Sequence, residues 1–278
     1  MKPDKLVTLY FSPTGTSRRI AEAIAGGIRT AEEPAPRCCD ITFGAAPATE
    51  LDADALLVVS VPVYGGHPAP LALERMAALR GHDTPAVAVV LYGNRAFDHA
   101  LRELDAFLAQ RGFRTVAAGA FIGEHSYSSP ATPIAAGRPD DRDLGEARLF
   151  GERIHAKLSG AGAASVDVAR LRTPHTPLLP LLRFIAFALS YLRRQKRHPV
   201  VLLPRTDAAR CIHCGRCATG CPTGAITRSR EEETDPSRCI RCCACVKGCP
   251  VGARSFETPF AAALARSFGR PKPNVTLL

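Results

Sequence analysis

The sequence reads CIHCGRCATGCPTGAI at residues 211–226 and CIRCCACVKGCPVGAR at residues 239–254. The second stretch repeats the first at an offset of 28 residues, with nine of sixteen positions identical, and each copy has the spacing C-x2-C-x2-C-x3-C-P. Nine of the chain's 11 cysteines lie between Cys211 and Cys249. The N-terminus shows no secretory signal, so these thiols are expected to be metal or cluster ligands rather than disulfide partners.

This double run resembles that of bacterial-type ferredoxins, in which the fourth Cys of each run ligates the other run's [4Fe-4S] cluster. The resemblance implies one cluster on Cys211, Cys214, Cys217 and Cys249, and a second on Cys239, Cys242, Cys245 and Cys221. Paired C-x2-C units also occur in zinc sites, but zinc does not require the third Cys or the trailing Cys-Pro. Cys243 has no place in the pattern and is expected to be a small buried residue near a cluster.

The charge of the chain is uneven. Its 278 residues are 46% hydrophobic and carry a net charge of +10, but residues 1–165 hold 17 basic and 19 acidic side chains, whereas residues 166–278 hold 19 and 7. This asymmetry indicates two domains with different partners. No run reaches the roughly 18 to 20 apolar residues of a transmembrane helix, so we expect a cytoplasmic protein. Nucleic-acid binding is not expected, because no recognised motif is present.

The first half opens with an apolar run, Leu6 to Phe11, followed by a loop rich in hydroxyl groups and then by a helical pattern with Ile20 and Ile24 on one face. A strand, such a loop and a helix N-terminus together form a phosphate site, because backbone amides and hydroxyls can donate to the anion. The loop resembles the [ST]-x-T-G-x-T fingerprint by which flavodoxins bind the FMN phosphate. The residues concerned are Ser12, Thr14, Gly15, Thr16 and Ser17. An ordinary helix cap at Thr16 or Ser17 is the alternative.

Five strands alternate with helices along this half. The strands are predicted at Leu6 to Phe11, Arg37 to Phe43, Ala55 to Val61, Ala86 to Tyr92 and Thr115 to Ile122, and the helices near residues 16–30, 70–80, 96–111 and 141–159. This alternation predicts an α/β fold with a doubly wound, five-stranded parallel sheet. The flavodoxin order 2-1-3-4-5 would bring the ends of strands one and three together at the flavin site.

Two further strand ends carry loops suited to a ligand. One offers Pro62, Tyr64, Gly65 and Gly66, and the other offers Tyr92, Gly93, Asn94 and Arg95. The resemblance to flavodoxins implies that these loops hold the isoalloxazine ring of FMN, with Tyr64 and Tyr92 as aromatic contacts, although either tyrosine could instead be strand-end packing. His125 lies on the same predicted rim and could donate a proton to reduced flavin or to a substrate, or be structural.

We divide the chain into a flavodoxin-like FMN-binding domain at 1–165, a basic amphipathic linker at 166–203 and a small α+β ferredoxin domain at 204–278. Within the linker, residues 178–197 form an amphipathic helix with a basic end. Burial against the two domains is the expected fate of this helix. An oligomer contact and an interfacial membrane contact are alternatives, and the membrane contact is not favoured.

The whole chain resembles flavodoxin-ferredoxin fusion proteins. The resemblance implies electron transfer between two [4Fe-4S] clusters and FMN, and the basic half would suit an acidic redox partner. One alternative is an FMN-dependent reductase of a small molecule, fed by the clusters. Another is a ferredoxin whose flavodoxin-like domain is an empty docking module.

Overall fold

The computed structural model describes residues 5–29, 35–160 and 164–278. The chain forms two compact units. The first contains Met1–Glu124, Gly137–Pro174 and Lys272–Leu278, and the second contains His125–Ala136 and His175–Pro271. This division differs from the predicted boundaries at 165/166 and 203/204. The first unit includes the C-terminal segment Lys272–Leu278, and the second includes the segment His125–Ala136 from the first half of the sequence. The predicted linker is divided between the two units at Pro174 and does not form a unit of its own.

The described residues contain eleven strands and eight α-helices. The strands are β1 (Leu6–Tyr10), β2 (Arg37–Asp40), β3 (Thr49–Leu51), β4 (Leu56–Tyr64), β5 (His67–Pro68), β6 (Leu79–Gly81), β7 (Thr84–Tyr92), β8 (Phe113–Ile122), β9 (Arg205–Thr206), β10 (Arg254–Ser255) and β11 (Val275–Leu277). The helices are α1 (Thr16–Ile28), α2 (Pro70–Arg75), α3 (Ala100–Ala109), α4 (Asp141–Ser159), α5 (Leu178–Arg197), α6 (Arg216–Thr219), α7 (Ala244–Lys247) and α8 (Pro259–Ser267).

The main sheet of the first unit has the order β11-β8-β7-β4-β1-β2. The five strands from β8 to β2 are parallel, which confirms the predicted doubly wound sheet and its order 2-1-3-4-5. The C-terminal strand β11 was not predicted; it pairs with β8 antiparallel, with Val275 opposite Ala120. The switch point lies between β1 and β4, so the loops that follow these two strands lie at the same edge.

Helices cover the sheet closely because glycines permit a short approach between α1 and α4. A Cβ on Gly27 would lie 1.9 Å from the carbonyl oxygen of Arg148, and a Cβ on Gly151 would lie 2.1 Å from that of Ile24. Neither position tolerates a side chain without moving the helices apart. Ile20 and Ile24 of α1 are fully buried, as their predicted spacing on one face requires. The core therefore fixes the start of α1 against the sheet edge.

The second unit is small and is built around the cysteine repeat. A two-stranded antiparallel sheet joins β9 to β10, with Arg254 opposite Thr206. Each copy of the repeat contains one short helix, α6 or α7, and α8 follows the second copy. The loop His125–Ala136 belongs to this unit, where buried Ile134 packs with Leu264 and Phe268. This small α+β arrangement agrees with the ferredoxin domain expected from the sequence.

Helix α5 forms as predicted, but the expectation that it is buried is wrong. No residue of α5 is buried. One face packs through aromatic rings on Phe260 at the start of α8, with ring centroids 5.1 Å away for Phe187 and 4.8 Å away for Tyr191. The other face remains exposed. Among the described residues, no helix has the length and apolar character needed to cross a membrane.

Candidate functional site

The eight repeat cysteines line two cavities of similar size. One is lined by the first three thiols of the first copy and the last of the second: Cys211, Cys214, Cys217 and Cys249. The other is lined by Cys239, Cys242, Cys245 and Cys221, and also by Cys243. The fold therefore sorts the thiols into the two sets of four that the ferredoxin resemblance implies, each set crossing between the copies.

The two copies adopt matching backbone conformations. Residues before α6 and α7 have positive φ at equivalent positions, with Gly215 at 71° in the first copy and Cys243 at 58° in the second. Each trailing cysteine sulfur accepts a backbone N–H at 3.2 Å, from Ala225 to Cys221 and from Ala253 to Cys249. Amides aimed at sulfur stabilise thiolate ligands. Cys243 lines the second cavity and is a buried residue whose place in the first copy is taken by Gly215.

Burial favours the protonated thiol at two of the ligands when no metal is bound. It raises the pKa of the Cys242 thiol to about 12 and also raises the pKa of Cys245, even though Arg254 lies close to Cys245. These ligands would be neutral thiols at pH 7. Iron binding must displace their protons, as coordination of a thiol by a metal does. The described residues contain no group of three or more Cys, His, Asp or Glu side chains that could hold a single metal ion.

One buried cation touches both cavities. Arg254 is only 4% exposed and lines the cavity that contains Cys217. Its Nη2 also donates to Sγ of Cys245 in the other set, at 3.7 Å, and to Thr234 Oγ1 at 2.8 Å. The equivalent position in the first copy is Ile226, so the two halves of the repeat differ in charge here. Sequence reasoning missed Arg254, although the Ile-to-Arg difference between the copies was visible.

The loop between β1 and α1 has the features of an anion site. Gly15, the N-cap residue of α1, has a φ of 83°, and its amide donates to the carbonyl of Ser12 at 3.1 Å. The Ser12 hydroxyl accepts the Arg18 amide at 3.0 Å. In the described part of the chain, the Ser17 hydroxyl is fully buried and has no hydrogen-bond partner. An orphaned buried hydroxyl beside a helix N-terminus is what a bound phosphate would satisfy, so a phosphate group fits these residues.

The loop after β4 is a tight hairpin. Strand β5 turns back on β4 and pairs Tyr64 with His67, which leaves Gly65 and Gly66 as the two turn residues. Their φ values of 63° and 98° are strained for any other residue. Tyr64 and Pro62 are half-buried, so the tyrosine ring is partly accessible at the sheet edge where a flavin would lie.

The loop after β7 differs from the expectation. Tyr92 was predicted to offer an aromatic face, but its side chain is buried, with the hydroxyl donating to the carbonyl of Pro273 at 3.1 Å. Burial raises the pKa of this tyrosine strongly. Asn94 is also fully buried and accepts the Lys272 amide at 2.9 Å. The C-terminal segment thus contacts Tyr92 and Asn94, whereas Gly93 and Arg95 are half-buried.

His125 follows the end of β8 by three residues and groups with the second unit. Its Nδ1 accepts the backbone N–H of Tyr127 at 3.0 Å, and its ring lies 4.9 Å from the Tyr127 ring. The Tyr127 ring is in turn 5.1 Å from Phe256. His125 therefore lies in an aromatic group of the iron-sulfur unit, and its role as a proton donor stays a prediction.

Comparison with known proteins gives one family match and several similar folds. Residues 203–251 match the family described as the 4Fe-4S dicluster domain. No curated protein matches the chain significantly.

Three solved structures illustrate the similar folds. A flavodoxin from the domain Archaea is 17% identical, with 57% of this chain and 99% of that chain covered and a TM-score of 0.42. Rubredoxin oxygen:oxidoreductase from Desulfovibrio gigas is 17% identical, with 59% and 38% covered and a TM-score of 0.40. A Streptococcus pneumoniae flavodoxin is 18% identical, with 55% and 98% covered and a TM-score of 0.37. By its own strand order and its family match, this chain joins a flavodoxin-like unit to a ferredoxin-type unit.

Proposed function

We propose that this chain transfers electrons between two [4Fe-4S] clusters and FMN, and from them to a redox partner. The observation that carries the proposal is the pair of cavities lined by the eight repeat cysteines, four at each cavity and drawn from both copies, with Cys243 as a fifth cysteine at the second cavity. A [4Fe-4S] cluster held by four thiolates accepts single electrons, and FMN, when bound, stores one or two. Because one chain holds all of these groups, transfer between them is independent of protein concentration.

Residues of this chain support the binding of each group. The αL turn at Gly15 and the orphaned Ser17 hydroxyl support phosphate binding, and the half-buried Tyr64 supports contact with the flavin ring. The N–H groups that donate to Cys221 and Cys249 support thiolate ligation. Burial of Cys242 and Cys245 shields two of the four ligands of the second set from water.

The redox partner is proposed to be an acidic protein. Residues 207–278, which surround the clusters, hold eleven Lys or Arg against six Asp or Glu. Complementary charge steers association and makes its rate fall as salt rises.

The experiment that tests the proposal follows electron exchange in one anaerobic sample. Reductant is added in amounts smaller than the number of redox centres, and the clusters are monitored by electron paramagnetic resonance while the flavin is monitored by absorbance. The proposal predicts that both sets of centres reach a common redox equilibrium within the mixing time. Reduced clusters that coexist with fully oxidised flavin over many minutes would contradict it, as would purified protein with intact clusters and no flavin.

A matched pair of cysteine variants tests the ligand assignment. Cys217→Ser removes a thiol that lines the first cavity, so it should either lose one cluster, and with it about half of the iron, or convert that cluster to a form with fewer iron atoms. Cys243→Ser changes the cysteine that has no place in the repeat, and should keep the full iron content. Equal iron loss in both variants would refute the assignment.

A further inference from the structure

The face of α5 that does not pack on α8 is apolar and exposed. We name as the α5 stripe its five aliphatic residues, which follow one another at intervals of four and three positions and are each 43 to 68% exposed: Leu178, Leu182, Ile185, Leu189 and Leu192. This spacing aligns them along one side of a helix over about 21 Å. At 100° per residue, the stripe lies about 150° around the axis from the packed rings of Phe184, Phe187 and Tyr191.

Positive charge surrounds the end of the α5 stripe. After Leu192, the last residue of the stripe, α5 continues with four exposed basic residues: Arg193, Arg194, Lys196 and Arg197. Of these, Lys196 lies on the same side of the helix as the stripe. Residues 168–206 contain eight Lys or Arg and no Asp or Glu. Beyond the helix, Val200 and Val201 are also exposed. The surface therefore combines an aliphatic face with basic groups that have no acidic residue near them in sequence.

A second copy of the chain fits this surface poorly. A parallel helix pair would bring the two basic ends together, because Lys196 lies on the stripe. An antiparallel pair would place each basic end beside Leu178 of the other copy, where the helix offers no carboxylate. Either arrangement buries the aliphatic residues but leaves the cations unpaired, so charge complementarity argues against self-association.

We propose that α5 docks this protein on an anionic phospholipid surface, lying in the plane of the interface with the α5 stripe toward the acyl chains. A helix with an apolar face and a basic end takes this position, because lipid tails accept the aliphatic side chains while lipid headgroups pair with Lys and Arg. The long side chains at the C-terminal end of the stripe reach the headgroup level. Binding of this kind does not span the bilayer and does not depend on the flavin.

The first test is co-sedimentation of the full-length holoprotein with vesicles. Vesicles of phosphatidylcholine with about one-third phosphatidylglycerol should bind the protein, and vesicles of phosphatidylcholine alone should bind it far more weakly. Leu189→Glu should weaken binding by about tenfold or more, since it places a charge in the apolar face. Leu149→Glu is the matched control, because Leu149 is a helical leucine of α4 that is 55% exposed, and it should bind as the wild type does.

The charge contribution is tested by replacing three cations together. Arg193→Gln, Lys196→Gln and Arg197→Gln should weaken binding about 100-fold, at about fivefold for each cation near an anionic surface. Unchanged iron content in every variant shows that the iron-sulfur unit is intact. Absence of binding to the anionic vesicles, or equal binding by Leu189→Glu and the wild type, would overturn the proposal. So would a dimer in lipid-free solution that Leu189→Glu converts to a monomer.

A fluorescent probe locates the inserted face. The chain has no Trp, so Ile185→Trp on the stripe introduces a single reporter. Its emission should shift to shorter wavelength when anionic vesicles are added and should be quenched by brominated acyl chains. Leu149→Trp should show neither effect. Equal responses at the two positions would overturn the assignment of the lipid-facing side.

Discussion

Replacing Arg254 tests how the buried cation affects the clusters. Its Nη2 lies 3.7 Å from Sγ of Cys245, and a unit charge at that distance from an electron is worth about 4.5 kcal/mol at an effective dielectric constant of about 20. The added electron spreads over a whole cluster, so we take about half of this energy, ~2 kcal/mol, as the interaction between Arg254 and the reduced cluster. One electron converts that to about 90 mV. Arg254→Gln should therefore lower the reduction potential of the cluster on Cys245 by about 90 mV, and that of the other cluster by a smaller amount.

The assay is an anaerobic redox titration followed by electron paramagnetic resonance, with iron content as the check on folding. Arg210→Gln is the matched control, because Arg210 is exposed and donates to the carbonyl of Val251 at 2.8 Å. Water and salt screen its charge, so its removal should shift the potentials by less than about 20 mV. A fully loaded Arg254→Gln protein whose potentials match those of the wild type, or exceed them, would refute the reasoning.

Three further changes address the flavin loop, the aromatic loop and the C-terminal strand. Gly15→Val should reduce the flavin content and leave the clusters intact, because a residue other than glycine at a φ of 83° costs about 1–2 kcal/mol. The control is Gly44→Val, whose φ is not positive, and it should keep both the flavin and the clusters. Burial raises the pKa of Tyr127 to about 12, so its contribution to stability is complete below pH 10 and is lost as the pH rises toward 12. In the wild type, the free energy of unfolding should fall by about 2–3 kcal/mol between pH 10 and pH 12 because of Tyr127. In Tyr127→Phe this part of the fall should be absent. Asn274→Ala should lower the melting temperature of the flavodoxin-like unit, since Oδ1 of Asn274 accepts the Ile122 amide at 2.9 Å and the loss is worth about 1–2 kcal/mol.

The elements that carry a strong local pattern could be predicted from the sequence. The alternation of strand and helix patterns predicted all five parallel strands, and the spacing of Ile20 and Ile24 predicted the buried face of α1. The cysteine spacing, read through the ferredoxin resemblance, implied the same two sets of four that line the cavities. In each case a short stretch of chain contains the whole signal.

What the sequence did not reveal depends on contacts between distant residues. Strand β11 is only three residues long, and nothing in Val275–Leu277 indicates that it pairs with β8. The burial of Tyr92 follows from that return of the chain, because Pro273 accepts its hydroxyl. The outward face of α5 was misjudged for a related reason: its aliphatic residues look like core residues, but α8 covers only the aromatic side.

The most direct measurement is the iron, sulfide and FMN content of one anaerobically purified sample of the full chain. The account predicts about eight iron atoms, about eight sulfides and about one FMN per chain, because each set of four thiols holds a four-iron cluster. Protein with zinc or with half the iron would contradict the double-cluster assignment, and iron-replete protein without flavin would contradict the flavin site.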